Sequence, residues 1–184
     1  MISVVIPTHN AAATLPASFR SLFDATIEGL VSEVIVADGG SADATLKIAD
    51  AAGATVIKTG PGLELLAGAR AARKPWLLFL KAGSTMEPGW EDEGRAFIAK
   101  GGNGAAAFRF RLAGNGLGAR LGEALSAAAR AFGRPTSCDG LLISAKLLGT
   151  LGACATQPLD EARLMRTLGR DRVSQLKAAV IAHS

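Results

Sequence analysis

The chain has no tyrosine, two histidines, two cysteines and nine phenylalanine or tryptophan residues in 184 positions. Each scarcity excludes something. A zinc centre takes about four nitrogen or sulfur ligands, or three and a water, and Cys138, Cys154, His9 and His183 are too scattered to supply them. Two cysteines do not make the disulfide framework of a small secreted scaffold, so both are read as small buried hydrophobic residues. No apolar run reaches the roughly 20 residues that cross a bilayer. The least charged stretch, residues 147–159, is shorter and carries two glycines and a proline. The N-terminus has no basic flank before an apolar segment, so no targeting signal is expected. A cytoplasmic protein is expected, with peripheral contact at the inner membrane face left open.

What is present is apolar and rich in small residues. Hydrophobic residues make up 49% of the chain and charged ones 20%, which excludes global disorder and predicts a packed core. Thirty-six alanines predict a core that backbone approaches closely. Twenty Lys and Arg against 16 Asp and Glu leave a net charge of +4. That excess suits small anions or a membrane surface, and it is too small and dispersed for a nucleic-acid footprint.

Apolar strand-like runs alternate with helical periods. Ile2-Ser3-Val4-Val5-Ile6 reads as a buried strand, and in residues 14–30 Leu15, Phe19, Leu22, Phe23 and Ile27 recur at three and four, the period of an amphipathic helix. A second strand follows at 33–37, a helix capped by Ser41-Ala42-Asp43, a third strand at 54–58 and a helix over 63–73 ended by Lys74-Pro75. Residues 76–80 form a fourth strand. Beyond it the pattern predicts a helix at 89–100, a strand at 105–112, a helix at 117–132 and a helix opened by Pro158. Repeated β-α units with doubly buried strands predict a three-layer α/β/α fold on a mostly parallel, Rossmann-like sheet. No linker or repeat interrupts the pattern, so residues 1–184 are expected to form a single domain.

Ligands of such sheets bind at the carboxyl ends of the strands. The first four strands end in Pro7-Thr8-His9-Asn10, Asp38-Gly39-Gly40-Ser41, Lys58-Thr59-Gly60 and Lys81-Ala82-Gly83-Ser84. Together they bring hydroxyls, a carboxylate, ammonium groups and bare backbone to one crevice. Asp38 can accept from a ring N–H of uracil or guanine or from ribose hydroxyls; alternatively it and Ser41 form a turn and helix cap.

These residues carry a resemblance. Ser3-Val4-Val5-Ile6-Pro7-Thr8-His9-Asn10, followed about 30 residues on by Glu33-Val34-Ile35-Val36-Ala37-Asp38-Gly39-Gly40-Ser41-Ala42-Asp43-Ala44-Thr45, resembles the paired opening motifs of the family 2 glycosyltransferases. Ala67-Gly68-Ala69-Arg70-Ala71-Ala72 is similar to that family's G-A-R-x-A helix, and Leu77-Leu78-Phe79-Leu80 to the strand before its metal motif. The likeness is nearest to small bacterial members with D-G-G-S. It implies a GT-A fold and transfer of a sugar from a nucleotide-diphospho-sugar to an acceptor hydroxyl, with the family's inverting course. Carried over by position, Pro7, Thr8, Asn10, Asp38, Gly39, Lys81 and Ser84 fall on the donor side, and Asp139 and Arg163 on the acceptor side. Leu159-Asp160-Glu161 stands where the family has an E-D pair, which places Glu161 on the position of the base, beside Asp160.

The family's Mg²⁺ or Mn²⁺ is held by an acidic D-x-D motif, and here Lys81-Ala82-Gly83 stands in its place. Gly83 occupies the ligand position, so no metal ligand is assigned. Lys81 supplies a positive charge at that strand end, which suits metal-independent transfer. The competing expectation is a catalytically degenerate domain that binds nucleotide or a protein partner. A third reading rests on Gly114-Asn115-Gly116-Leu117-Gly118-Ala119, which matches a dinucleotide-binding pattern but follows four β-α units rather than opening the first. The acceptor and the oligomeric state are left open by these motifs.

Overall fold

Runs of aliphatic residues make the strands, and the computed structural model describes residues 1–101, 104–113, 139–151, 161–169 and 172–183, with residues 161–163 as backbone. The first half alternates strand and helix: β1 (Ile2–Thr8), α1 (Leu15–Ser21), α2 (Phe23–Ile27), β2 (Val31–Asp38), α3 (Thr45–Ala51), β3 (Thr55–Lys58), α4 (Glu64–Ala71) and β4 (Trp76–Phe79). There follow β5 (Ser84–Met86), α5 (Trp90–Ala99), β6 (Ala105–Leu112), β7 (Leu141–Ser144), α6 (Ala145–Thr150), α7 (Glu161–Leu168) and β8 (Val173–Ala182). The helix predicted at 117–132 lies outside the described residues.

The strands form one sheet in the order β3-β2-β1-β4-β7-β6-β8-β5. In the half built from the first four strands every pairing is parallel, as the β-α alternation predicts. The other half is mixed. β7 runs antiparallel to both β4 and β6, β5 antiparallel to β8, and β6 parallel to β8. β1 is flanked by β2 on one side and β4 on the other, so the chain reverses its direction of travel across the sheet there. A crevice opens at the carboxyl ends of strands at such a reversal.

Alternate residues of the central strands feed two cores. Val4, Ile6, Val36 and Leu78 face Leu15 and Leu22 of the α1 region, Ala49 of α3 and Trp90 of α5. Val5, Ile35, Leu77 and Phe79 face Leu66 of α4, Leu147 and Leu148 of α6, and Leu164, Met165 and Leu168 of α7. Helices therefore cover both faces, giving the three layers. The period-2 alternation of strand side chains requires this division.

Candidate active site

The two turns at the ends of β1 and β2 are tied together by side chains. Thr8 and Asp38 are register partners. Thr8 Oγ1 donates to Asp38 Oδ1 at 2.9 Å, and Ser41 Oγ donates to the same oxygen at 2.5 Å. The backbone N–H groups of Gly40 and Ser41 donate to Oδ2 at 3.0 and 2.8 Å. Asp38 is only 1% exposed. Burial pushes its carboxyl up, but the Ser41 hydroxyl, the Ser41 N–H, Thr8 and the Gly40 N–H together outweigh that and hold it below the usual aspartate value. Of the two roles open to Asp38, the turn is the one the geometry displays.

Asn10 extends the same network. Its backbone, in the left-handed region at φ 50°, donates to Ser41 Oγ at 2.7 Å, while its Oδ1 accepts from Ala42 N at 2.9 Å. Asp43 accepts from Ala12 N and Thr45 N, and also from the Thr45 hydroxyl, whose oxygen accepts from Ala11 N at 2.8 Å. The Thr45 hydroxyl is the leading cause that lowers the Asp43 carboxyl from its ordinary value. The spacing between the two sequence motifs is thus a spacing between hydrogen-bonding partners. Asp43 and Thr45 were legible as motif letters, and their bonds to residues 11 and 12 show what those letters do.

At the end of β4 the chain turns sharply, with Ser84 N donating to Lys81 O at 3.0 Å. Asp139, which precedes β7, braces this turn: it accepts from Lys81 N at 2.9 Å and from Ser84 Oγ at 2.6 Å. Asp139 and Ser84 are both buried. Asp139, expected on the acceptor side, is thus hydrogen-bonded to Lys81 and Ser84, two residues expected on the donor side. Ser18 of α1 adds a second brace, accepting from Gly83 N and donating to Ser84 O. Lys81 is exposed. A cavity of about 160 Å³ is lined by Pro7, Glu64, Leu65, Phe79, Lys81 and Asp139, among others. Glu64 and Leu65 were missed from sequence, because nothing local marks the first turn of α4 as facing the ends of β1 and β4.

Of the late-helix candidates, Asp160 lies outside the described residues. Glu161 opens α7, whose Leu164, Met165 and Leu168 anchor it on the second core, but the side chains of Glu161 and Arg163 are outside the description. Residues 114–119, Cys138 and Cys154 also lie outside it. His9 is exposed beside Asn10, with Nε2 3.3 Å from Asn10 Nδ2. His183 Nε2 lies 3.0 Å from Thr85 Oγ1 of β5.

Residues 3–128 match the family model described as Glycosyl transferase family 2, well over half of the chain. The chain belongs to glycosyl transferase family 2. Its structure is similar to that of S. aureus TarS 1–349 in complex with UDP-GlcNAc, with a TM-score of 0.75, 19% identity and coverage of 100% of this chain and 58% of that one. It is also similar to glucosyl-3-phosphoglycerate synthase from Mycobacterium tuberculosis in complex with Mn²⁺ and UDP-glucose, with a TM-score of 0.70, 25% identity and coverage of 100% and 71%. These neighbours share the GT-A fold. The chain spans about 60% of the TarS 1–349 length. None of the curated proteins matches its sequence.

The family's divalent cation can be tested against the residues at the end of β4. Gly83 has φ 92°, a conformation that side-chain-bearing residues rarely adopt, and a Cβ there would lie 3.0 Å from Thr14 Cβ. Lys81 brings a positive charge to the same turn. Asp139 already receives two donors from the protein. Among the described residues no group of three His, Cys, Asp or Glu side chains gathers as a metal site. The donor set in this family 2 member does not fit a divalent ion held at the β4 turn.

Proposed function

We propose that this family 2 chain transfers a sugar from a nucleoside diphosphate donor to an acceptor hydroxyl with inversion, and that Lys81 takes the charge of the departing diphosphate. The observation that carries this reading is the placement of Lys81 on a cavity shared with the β1 turn, above a Gly83 position that fits no metal ligand. An ammonium fixed beside a leaving group lowers the cost of the negative charge that develops there. Pro7, Thr8, Asn10, Asp38 and Gly39 frame the nucleoside side of the crevice. Asp139 and Ser84 hold the Lys81 turn in place.

On the acceptor side, Glu161 is the base: it takes the proton of the attacking hydroxyl as the new bond forms to the anomeric carbon and the bond to the diphosphate breaks. Asp160 stands beside it in sequence, and Arg163, two residues further along α7, binds acceptor charge. The UDP-sugar complexes of the two neighbours support a nucleotide-sugar donor. No helix among the described residues is long and apolar enough to cross a membrane. The reading places the protein in the cytoplasm or peripherally at the inner membrane face.

Thermal-shift measurements with UDP, GDP and UDP-sugars, each with EDTA or Mn²⁺, test donor binding directly. Stabilisation that persists in EDTA supports the reading, and no shift with any nucleotide overturns it. Donor hydrolysis by Lys81→Ala and Glu161→Gln then tests the roles, since unchanged rates in both would remove them. A second reading, a degenerate domain that binds nucleotide without turnover, is favoured by the same Gly83. It predicts stabilisation by UDP or GDP with no hydrolysis in the wild type.

A further inference from the structure

Asp38 has four protein donors on its two oxygens, so a second carboxylate at the strand ends attracts interest. Glu64, the first residue of α4, reaches back over the end of β2. A Cβ built on Gly39 would fall 2.1 Å from Glu64 Oε1 and 3.0 Å from its Cδ. The carboxylate therefore lies directly against the Gly39 backbone, in space that an alanine at 39 would claim. It also lines the cavity that Lys81 lines. Among the described residues no hydrogen bond or ion pair engages the Glu64 side chain. An acid in the first helical turn complements the helix dipole wherever it points; that general effect explains neither the approach to Gly39 nor the shared cavity.

Resting on the donor-binding reading above, we propose that Glu64 accepts hydrogen bonds from the ribose hydroxyl pair of the donor nucleotide, making it a residue that selects ribonucleotides. The chemistry favours ribose over base. In a nucleoside diphosphate the ribose is esterified directly to the phosphates, whereas the base lies beyond it. A small cavity that presents an ammonium and a carboxylate together matches the ribose-phosphate portion, with phosphate toward Lys81 and the diol toward Glu64. Two adjacent hydroxyl donors satisfy the two oxygens of a carboxylate, and hydrogen bonds to a charged group are the strong ones. The apolar remainder, Pro7, Leu65 and Phe79, contacts the carbon face of the sugar.

Calorimetric titration of the full chain with UDP, GDP, 2′-deoxy-UDP and 3′-deoxy-UDP tests this in wild type, E64Q, E64A and G39A. In the wild type, removing a hydroxyl that Glu64 holds weakens binding roughly ten- to hundredfold. In E64A that deoxy penalty shrinks to about twofold or less, because the two deletions remove one interaction. G39A reproduces the loss with Glu64 present, since its Cβ displaces the carboxylate, and E64Q falls between. Thermal melts confirm that E64Q and G39A are folded. If UDP binds but the deoxy penalty is equal in wild type, E64A and G39A, the proposal is overturned while donor binding stands. A change of preference between UDP and GDP in E64A with the deoxy penalty intact also overturns it, in favour of a base contact. If neither UDP nor GDP binds the wild type, the donor-binding reading falls and the proposal with it.

Discussion

Asp38 accepts from three residues through four bonds, and protonation weakens every one of them. Its folded pKa is depressed, so the stability it contributes is complete above the unfolded value of about 3.9 and is lost as pH falls through the folded value. Asp38→Asn is expected to lower stability by about 1–3 kcal/mol at neutral pH, because an amide presents N–H where N–H donors already converge. The variant should also lose less stability than wild type between pH 4 and lower values. Urea titrations across that range measure both effects. At Gly83 the expectation is different in kind. Gly83→Asp restores a carboxylate to the β4 turn, yet it must adopt a left-handed conformation and press on Thr14. It should cost about 1–3 kcal/mol and confer no Mn²⁺-dependent rise in melting temperature.

Elements were legible where burial is symmetrical. The runs Ile2-Ser3-Val4-Val5-Ile6 and Trp76-Leu77-Leu78-Phe79 are buried along their whole lengths, and both lie at the centre of the sheet. Leu78 is 0% exposed on β4, and Leu78→Ala should cost about 2–5 kcal/mol in a denaturant titration. Residues 14–30 show the limit of periodicity. They were expected to form one helix with Phe23 and Ile27 on the buried stripe, but the chain breaks at Leu22 into α1 and α2. Phe23 is 62% and Ile27 71% exposed, while Ala25 is the buried residue of α2. The spacing at three and four holds across the break, but the face it marks does not. Ile27→Lys is therefore expected to change stability by no more than about 0.5 kcal/mol. β5 is only three residues, and β8 mixes exposed and buried positions, so neither announces itself. The direction of β7 depends on its pairing with β4, which no local pattern encodes. In the site, the Thr8, Asp38 and Lys81 positions were legible because they follow recognisable strands. The brace from Asp139 and the approach of Glu64 to Gly39 arise from tertiary packing and carry no local signal.

The whole molecule brings four parallel strand ends to one edge and places β1 and β4 side by side where the chain changes direction. Two packed cores hold that edge from either face of the sheet. The overall charge of +4 is modest, and one of its ammonium groups, that of Lys81, belongs to a residue lining the cavity at the strand ends. The proposed function makes donor binding independent of a divalent ion and dependent on Lys81. Lys81→Ala should weaken UDP binding roughly tenfold or more, as expected for loss of a charged contact, and affect uridine much less. The most direct test is calorimetric titration of the wild-type chain with UDP and GDP, first in EDTA and then in Mn²⁺. The account predicts binding of at least one nucleotide with dissociation constants that agree within about threefold between the two conditions, well below one tenfold step of about 1.4 kcal/mol. Binding that appears only with Mn²⁺ would contradict it.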